Sequence, residues 1–279
     1  MRILAVSILV WYALLGCSND IGSPAARIGE SSAMGDCRSG VGSSASVAKV
    51  TEGSVDDLNR RADAAATRDI SSINEDPMAP CPKCVRIFNG TSFEGWEASP
   101  STWSIADGAM RGQGGTSRAA YTKTDYGSFR LVVTSRMNPV NGDHLGILFW
   151  GNHPADLDKP QIDLAGWIQF MPPHGAMWDY HPPQHHNLPH ETLVAGSRDF
   201  TNWNTTEILC NLEKGTMRAA VNGVETTRYT HPYPRERIDP LNRIVNGPIG
   251  MMRHGGGASE YKWIYVETDP IEDKLYTVK

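Results

Sequence analysis

Over Phe129–Arg136 apolar and polar side chains alternate in the manner of a strand with one buried face. Leu145–Trp150 and Gly166–Phe170 are compact apolar runs, which predict strands in the middle of a sheet. Thr205–Leu212 and Thr216–Val221 flank Glu213-Lys214-Gly215, a hairpin signal. Val224–Tyr229 follows Asn222-Gly223, a dipeptide suited to the positive φ angles of a two-residue hairpin turn. Tyr261–Thr268 predicts a closing strand. Helical periodicity is almost absent beyond Cys84. Residues 85–269 therefore read as an all-β domain, a sandwich or jelly roll of many short strands.

The N-terminal part carries a different pattern. Arg2 precedes an apolar run from Ile3 to Leu15, the length of a signal-peptide core, and the run ends Leu14-Leu15-Gly16-Cys17. This ending resembles the bacterial lipobox, which implies a signal peptide over 1–16 and a lipid on Cys17. Two or three acyl chains fasten a protein firmly, whereas one chain alone binds marginally. Ser18 follows the cysteine, and outer-membrane sorting in the bacterial envelope is the expectation. Residues 17–84 are rich in Gly, Ser and Ala and cannot bury enough apolar surface to offset their ordering entropy, so they predict a flexible tether. Val55, Leu58 and Ala62 mark one face of a short helix, too thin a stripe to carry function. Residues 270–279 are left as a C-terminal tail.

Composition narrows the classes. The 279 residues are 40% apolar and 20% charged, with a formal net charge of −5, so the basic footprint of a nucleic-acid binder is missing. No apolar stretch is long enough to span a bilayer, and contact with the membrane is expected through the lipid alone. There are five cysteines. With Cys17 acylated, Cys37, Cys81, Cys84 and Cys210 remain, an even number that predicts disulfides with the pairing open. Cys81-Pro82-Lys83-Cys84 has the spacing of a redox motif or half a zinc site; with no second pair of this kind, a structural bridge at the entrance to the domain is the expectation.

Candidate chemistry concentrates between Asn152 and Glu191. Seven of the 18 prolines fall there (Pro154, Pro160, Pro172, Pro173, Pro182, Pro183 and Pro189), with His153, His174, His181, His185, His186 and His190. A long loop of this kind is uncommon unless functional. Histidine suits a general base near neutrality. His174, His181 and His185 are candidates, with Asp179 to orient a ring. The run His181, His185, His186, His190 also makes a divalent metal a candidate cofactor, with His181 and His185 as ligands. Its spacing matches no standard metal motif, and His190-Glu191-Thr192-Leu193-Val194 is not HExxH. The Glu-x-Asp-x-Glu strand of common sandwich glycosidases is missing too. Trp96, Trp103 and Trp263 are assigned to packing.

Short blocks along the domain share a family likeness. Ile87-Phe88-Asn89-Gly90-Thr91-Ser92-Phe93-Glu94-Gly95-Trp96 is similar to "LFNGKDLSGW", Trp103 to Met110 to "WxVxDGxL", and Tyr126 to Leu131 to "YGDFEL". Gly146-Ile147 matches "NSGI", Gln169 the end of "YEVQ", Trp203 to Ile208 "WNTYEI", and Val221 to Val224 "LNGV". Gly247 to Gly250 with His254-Gly255-Gly256 resembles "GPIGLQxHGG". In this order the blocks resemble the 3-keto-disaccharide hydrolase domain family. The resemblance implies a concanavalin A-like jelly-roll sandwich of two antiparallel sheets acting on carbohydrate.

The implied reaction cleaves a glycosidic bond in a sugar oxidised at C3. The ketone acidifies the C2 hydrogen, a base removes it, the C1 substituent leaves, and water adds back. The catalytic candidates are His174, Asp179, His181 and Gln169. Trp150, Trp167 and Trp178 are expected to stack on the sugar, with His144 and His254 also lining the site. Trp167 and Trp150 stand where the family carries Glu and Arg, and His144-Leu145 where it has Asn-Ser. Two further readings compete: a non-catalytic carbohydrate-binding module on the envelope, and a scaffold protein.

Overall fold

The computed structural model describes residues 81–114, 118–138, 144–159, 164, 166–180, 190–194, 196–232 and 244–278. The signal peptide, Cys17, Cys37, nearly all of the tether, His181 and His185 lie outside the described residues.

Fifteen strands and no helix occur among the described residues. The larger sheet, sheet A, has nine strands. Its spatial order is β10 (Glu191–Thr192), β13 (Val224–Thr230), β12 (Thr216–Val221), β11 (Asn204–Asn211), β6 (Phe129–Asn138), β15 (Ala258–Thr268), β4 (Ala109–Gly112) and β3 (Trp103–Ala106), with β1 (Val85–Arg86) also on β15. Sheet B has six: β2 (Trp96–Glu97), β5 (Arg118–Thr122), β14 (Gly250–His254), β7 (His144–Phe149), β8 (Ile168–Met171) and β9 (Ala176–Asp179). Every pairing is antiparallel. The fold is thus the all-β sandwich of two antiparallel sheets that the strand pattern predicts.

The core follows from period-two alternation. Leu131 and Val133 of β6, Ile208 and Cys210 of β11 and Tyr261 of β15 meet Ile147 and Phe149 of β7, Phe170 of β8, Met177 of β9 and Met251 of β14. Phe129 and Phe149 pack edge to face across the sheets, centroids 6.0 Å apart. Each such aliphatic or aromatic side chain contributes about 1.5–3 kcal/mol when fully buried. Asn222 (φ 49°) and Gly223 (φ 82°) make the tight β12–β13 turn expected of them.

Three expectations need correction. Strand β6 is not half exposed: Phe129 to Ser135 are all buried. The segment 270–278 lies across its outer face, where Arg130 Nη1 and Nη2 donate to the Lys274 and Glu272 carbonyls at 2.6 and 3.1 Å. Glu207 in turn accepts from the Tyr276 and Thr277 amides at 2.9 and 2.7 Å. Among the cysteines, Cys81 and Cys84 form a disulfide, but Cys210 is a free thiol inside the core, and burial pushes it well up from its ordinary range. Trp96 and Trp103 are core residues as expected; Trp263 is only half-buried, at a bulge in β15 with positive φ, its ring 3.7 Å from Lys262 Nζ.

Candidate functional site

With Ile147, Phe149, Phe170, Met177 and Met251 facing the core, the alternate residues of the same strands stand on the outer face of sheet B. The register lines them up. Trp178, Gln169, Leu148, Gly250 and Tyr121 form one row across five strands. Gly146 and Met252 stand in the next, and His144 with His254 beyond it. The polar members gather at the β8–β9 side of this face. The Gln169 side chain lies over Gly146, where any Cβ would come within 2.7 Å of its Nε2.

Hydrogen bonds orient the group. The Tyr180 hydroxyl donates to Gln169 Oε1 at 2.9 Å, and Gln169 Nε2 faces His144 Nε2 at 3.4 Å. An amide nitrogen only donates, so His144 Nε2 is the acceptor in this contact. Burial raises the Tyr180 pKa, so the phenol keeps its proton through neutral pH. The His254 ring stacks on His144 with centroids 4.2 Å apart and planes 19° apart. Its Nδ1 is closed to solvent and has no hydrogen-bond partner. Trp178 stays half-exposed beside both polar rings, 6.3 Å from His144 and 6.0 Å from Tyr180. Chemically this is an aromatic wall beside a stacked histidine pair that a fully buried amide holds from beneath, a combination matched to a hydroxyl-rich ring with one apolar face.

The sequence model of the 3-keto-alpha-glucoside-1,2-lyase-like domain matches residues 83–267. The chain belongs to this family. Among curated proteins none matches it. Of solved structures, a candidate glycosyl hydrolase from Parabacteroides distasonis is 14% identical with a TM-score of 0.48, covering 66% of this chain and 93% of that one. The carbohydrate-binding module CBM66 from Bacillus subtilis is 10% identical with a TM-score of 0.45, covering 62% and 96%. A galectin-like protein from Bacillus subtilis is 10% identical with a TM-score of 0.44, covering 66% and 96%.

In this lyase-like domain the predicted site residues separate into two sets. Gln169, His144, His254 and Trp178 come together as described. Asp179 does not join them: in β9 it has the opposite parity to Trp178 and points between the sheets, 1% exposed. There Tyr229 donates to its Oδ2 at 2.8 Å, and His231 Nε2 lies 3.3 Å away. His174 is exposed in the β8–β9 turn with Nδ1 2.8 Å from Ser197 Oγ, so it orients toward a loop rather than toward Asp179 or Gln169. Trp150 is fully buried, its indole N–H donating to the Gly127 carbonyl at 2.8 Å, and offers no face to a ligand. Trp167 is 2% exposed, packed on Tyr121 at 5.4 Å.

Two members of this group were not assigned a role from sequence. Tyr180 stands two residues after Trp178, a same-face signal that the strand period carries. Gly146 sits inside a family block, yet its use as the bed for Gln169 becomes visible only in the register. A cavity of about 160 Å³ lies farther along the same face, past Leu148, lined by Arg118, Tyr121, His153 and Trp167. Two of its polar groups are already engaged: Arg118 Nη1 donates to the Leu157 carbonyl at 2.7 Å, and His153 bridges Glu97 and Asp125 at 3.3 and 2.8 Å.

Proposed function

We propose that this protein cleaves glycosidic bonds of 3-keto-glycosides or 3-keto-disaccharides on the outer face of sheet B. The observation that carries the reading is the His254–His144–Gln169–Tyr180 group beside the open face of Trp178, in a chain of the lyase-like family. Trp178 stacks on the sugar. His254, whose Nδ1 is closed to solvent, takes on Nε2 the C2 proton that the C3 ketone acidifies. Gln169, itself fully buried, holds Tyr180 and His144 in place from beneath. The C1–O bond breaks as C1=C2 forms, the proton on His254 passes to the departing oxygen, and water then adds to C1 to release the 3-keto-sugar.

The test is release of the leaving sugar from 3-keto-disaccharides by the folded full chain. His254→Gln is expected to lower kcat about 100-fold, the usual loss on removing a general base. Unchanged kcat in that variant, or no release by wild type, sinks the reading. A second reading, a carbohydrate-binding module, is favoured by one observation: Asp179, the carboxylate expected at the site, is turned into the core. Saturable binding to unoxidised glycans with no turnover decides for it.

The same proposal places the protein at the bacterial envelope, facing the periplasm or the surface from the outer membrane, through lipid on Cys17. It rests on Leu14-Leu15-Gly16-Cys17 following the apolar run. Cys17→Ala is expected to abolish incorporation of radiolabelled palmitate and to move the protein to the soluble fraction. Retained label in that variant refutes it.

A further inference from the structure

Away from the saccharide face, the start of the described chain carries a second group of ligand atoms. Cys81 and Cys84 close a four-residue loop, their Cα atoms 5.3 Å apart, and Glu267 of β15 reaches them from the centre of sheet A. Both sulfurs and a Glu267 carboxylate oxygen all lie within 4.8 Å of one another, and Cys81 Sγ is 3.4 Å from Glu267 Oε2. Cys81 and Glu267 are 3% and 6% exposed. Cys84 is half-buried at the surface side. The carboxylate is held from behind: Arg130 Nε donates to Oε2 at 2.9 Å, while Arg130 Nη1 binds Glu207 at 2.6 Å.

We propose that the reduced form of this loop binds one thiophilic divalent cation, of which Zn²⁺ is the type, through Cys81, Cys84 and Glu267, with water in the fourth position on the Cys84 side. The C-x-x-C spacing supplies two thiolates to one tetrahedral ion, and a carboxylate oxygen is an accepted third ligand for zinc. Two thiolates select against the oxygen-seeking Mg²⁺ and Ca²⁺. Charge argues the same way. A bare thiolate beside the buried Glu267 carboxylate meets repulsion, whereas two thiolates with a divalent ion add no net charge to the Arg130, Glu207 and Glu267 cluster. Arg130 serves as the outer partner that orients the carboxylate, as second-shell groups do at zinc sites.

Entry to the state is a two-electron exchange with a protein dithiol. The dithiol's two sulfurs join, the Cys81–Cys84 bond breaks, and the dithiol's two protons pass to the two cysteines. Cation binding then releases those protons to solvent. The segment that leads into the domain is thereby closed by a disulfide in one redox state and by a metal in the other, without a change in β1 pairing.

Cobalt titration of the full chain tests this, after reduction by a trialkylphosphine without oxygen and removal of the reductant. Expected is a thiolate-to-Co²⁺ charge-transfer band saturating at one ion per chain, displaced by Zn²⁺, and missing from the oxidised protein. Cys81→Ser/Cys84→Ser is expected to lose the band. Glu267→Gln is expected to keep it with affinity lowered about 10-fold or more. Cys84→Ser alone, which leaves the Arg130–Glu267 pair untouched, is expected to lose the band and guards against a folding defect in the Glu267 variant. A folded, reduced chain that takes up no cobalt overturns the proposal, and so does a band of equal size in the double variant.

Discussion

Gly146 has no side chain, and that absence gives Gln169 its place. An added methyl would stand 2.7 Å from Gln169 Nε2 and 3.3 Å from its Cδ, so the amide must swing away from both Tyr180 and His144. Gly146→Ala is expected to weaken saccharide binding or turnover about 10-fold, the scale of one lost well-placed hydrogen bond. Its thermal midpoint should fall as well, because Gln169 is fully buried and its displaced amide leaves both partners; a surface plasmon resonance titration beside a melting curve measures the two effects. Asp179 behaves oppositely. As a buried acceptor for Tyr229 it belongs to the fold, and Asp179→Ala is expected to destabilise the protein by about 1–3 kcal/mol in urea unfolding, through the orphaned Tyr229 hydroxyl.

Among the elements, the long strands with strong alternation or dense apolar runs, β6, β7, β11, β12, β13 and β15, are legible in the sequence, since their apolar faces alone demand burial. Of the short ones only β8 is, through the apolar run Gly166–Phe170. β9 reads Ala-Met-Trp-Asp, and β14 reads Gly-Met-Met-Arg-His; neither has enough apolar positions to stand out from the turns around it. This decided the fate of the site residues. The pairing of Gln169 with Trp178 sends Trp178 outward and, one position on, Asp179 inward with Ile168, a parity set by the turn at 172–175 and invisible without the partner strand. Gln169, His144 and His254 were found through family blocks rather than through any local pattern. His174 failed because density of histidine along a loop says nothing about where each ring points.

The β12–β13 hairpin also carries a pH signature. Burial pushes the Glu225 carboxyl up, but hydrogen bonds from Arg228 and Arg218, at 2.8 Å each from their Nε atoms, outweigh it and hold the pKa down at about 2. A carboxyl depressed in the folded state stabilises it above the ordinary carboxylate range near pH ~4.3, and that contribution is lost as pH falls toward 2. Urea midpoints measured between pH 5 and pH 2.5 should therefore fall less steeply in Glu225→Gln than in wild type. Equal slopes refute the assignment.

At the scale of the whole molecule, the family match ends at Glu267, yet sheet A is finished by the residues that follow. Leu275 packs with Leu209 and Ala220, and Glu207 takes two amides and the Thr277 hydroxyl from this segment. Deleting residues 270–279 opens the fully buried Arg130–Glu207 pair to water. The expected cost is about 3–5 kcal/mol, from one buried leucine and several charge-assisted hydrogen bonds, read as a lower urea midpoint with the saccharide face intact in binding.

The attachment of β1 to β15 has a mechanical meaning. β15 is an inner strand, flanked by β6 and β4, and Val85 and Arg86 pair with its Val266 and Tyr265. Tension drawn along the chain from before Cys81 enters the domain at the disulfide and spreads into sheet A. The rows of Trp178, Gln169 and His254 belong to sheet B, which meets β15 through the Tyr261 hydroxyl on the Gly146 and Met252 carbonyls and through the short turn from His254 to Ala258. Force applied at the disulfide thus reaches the outer face of sheet B by way of β15, the strand that both routes share.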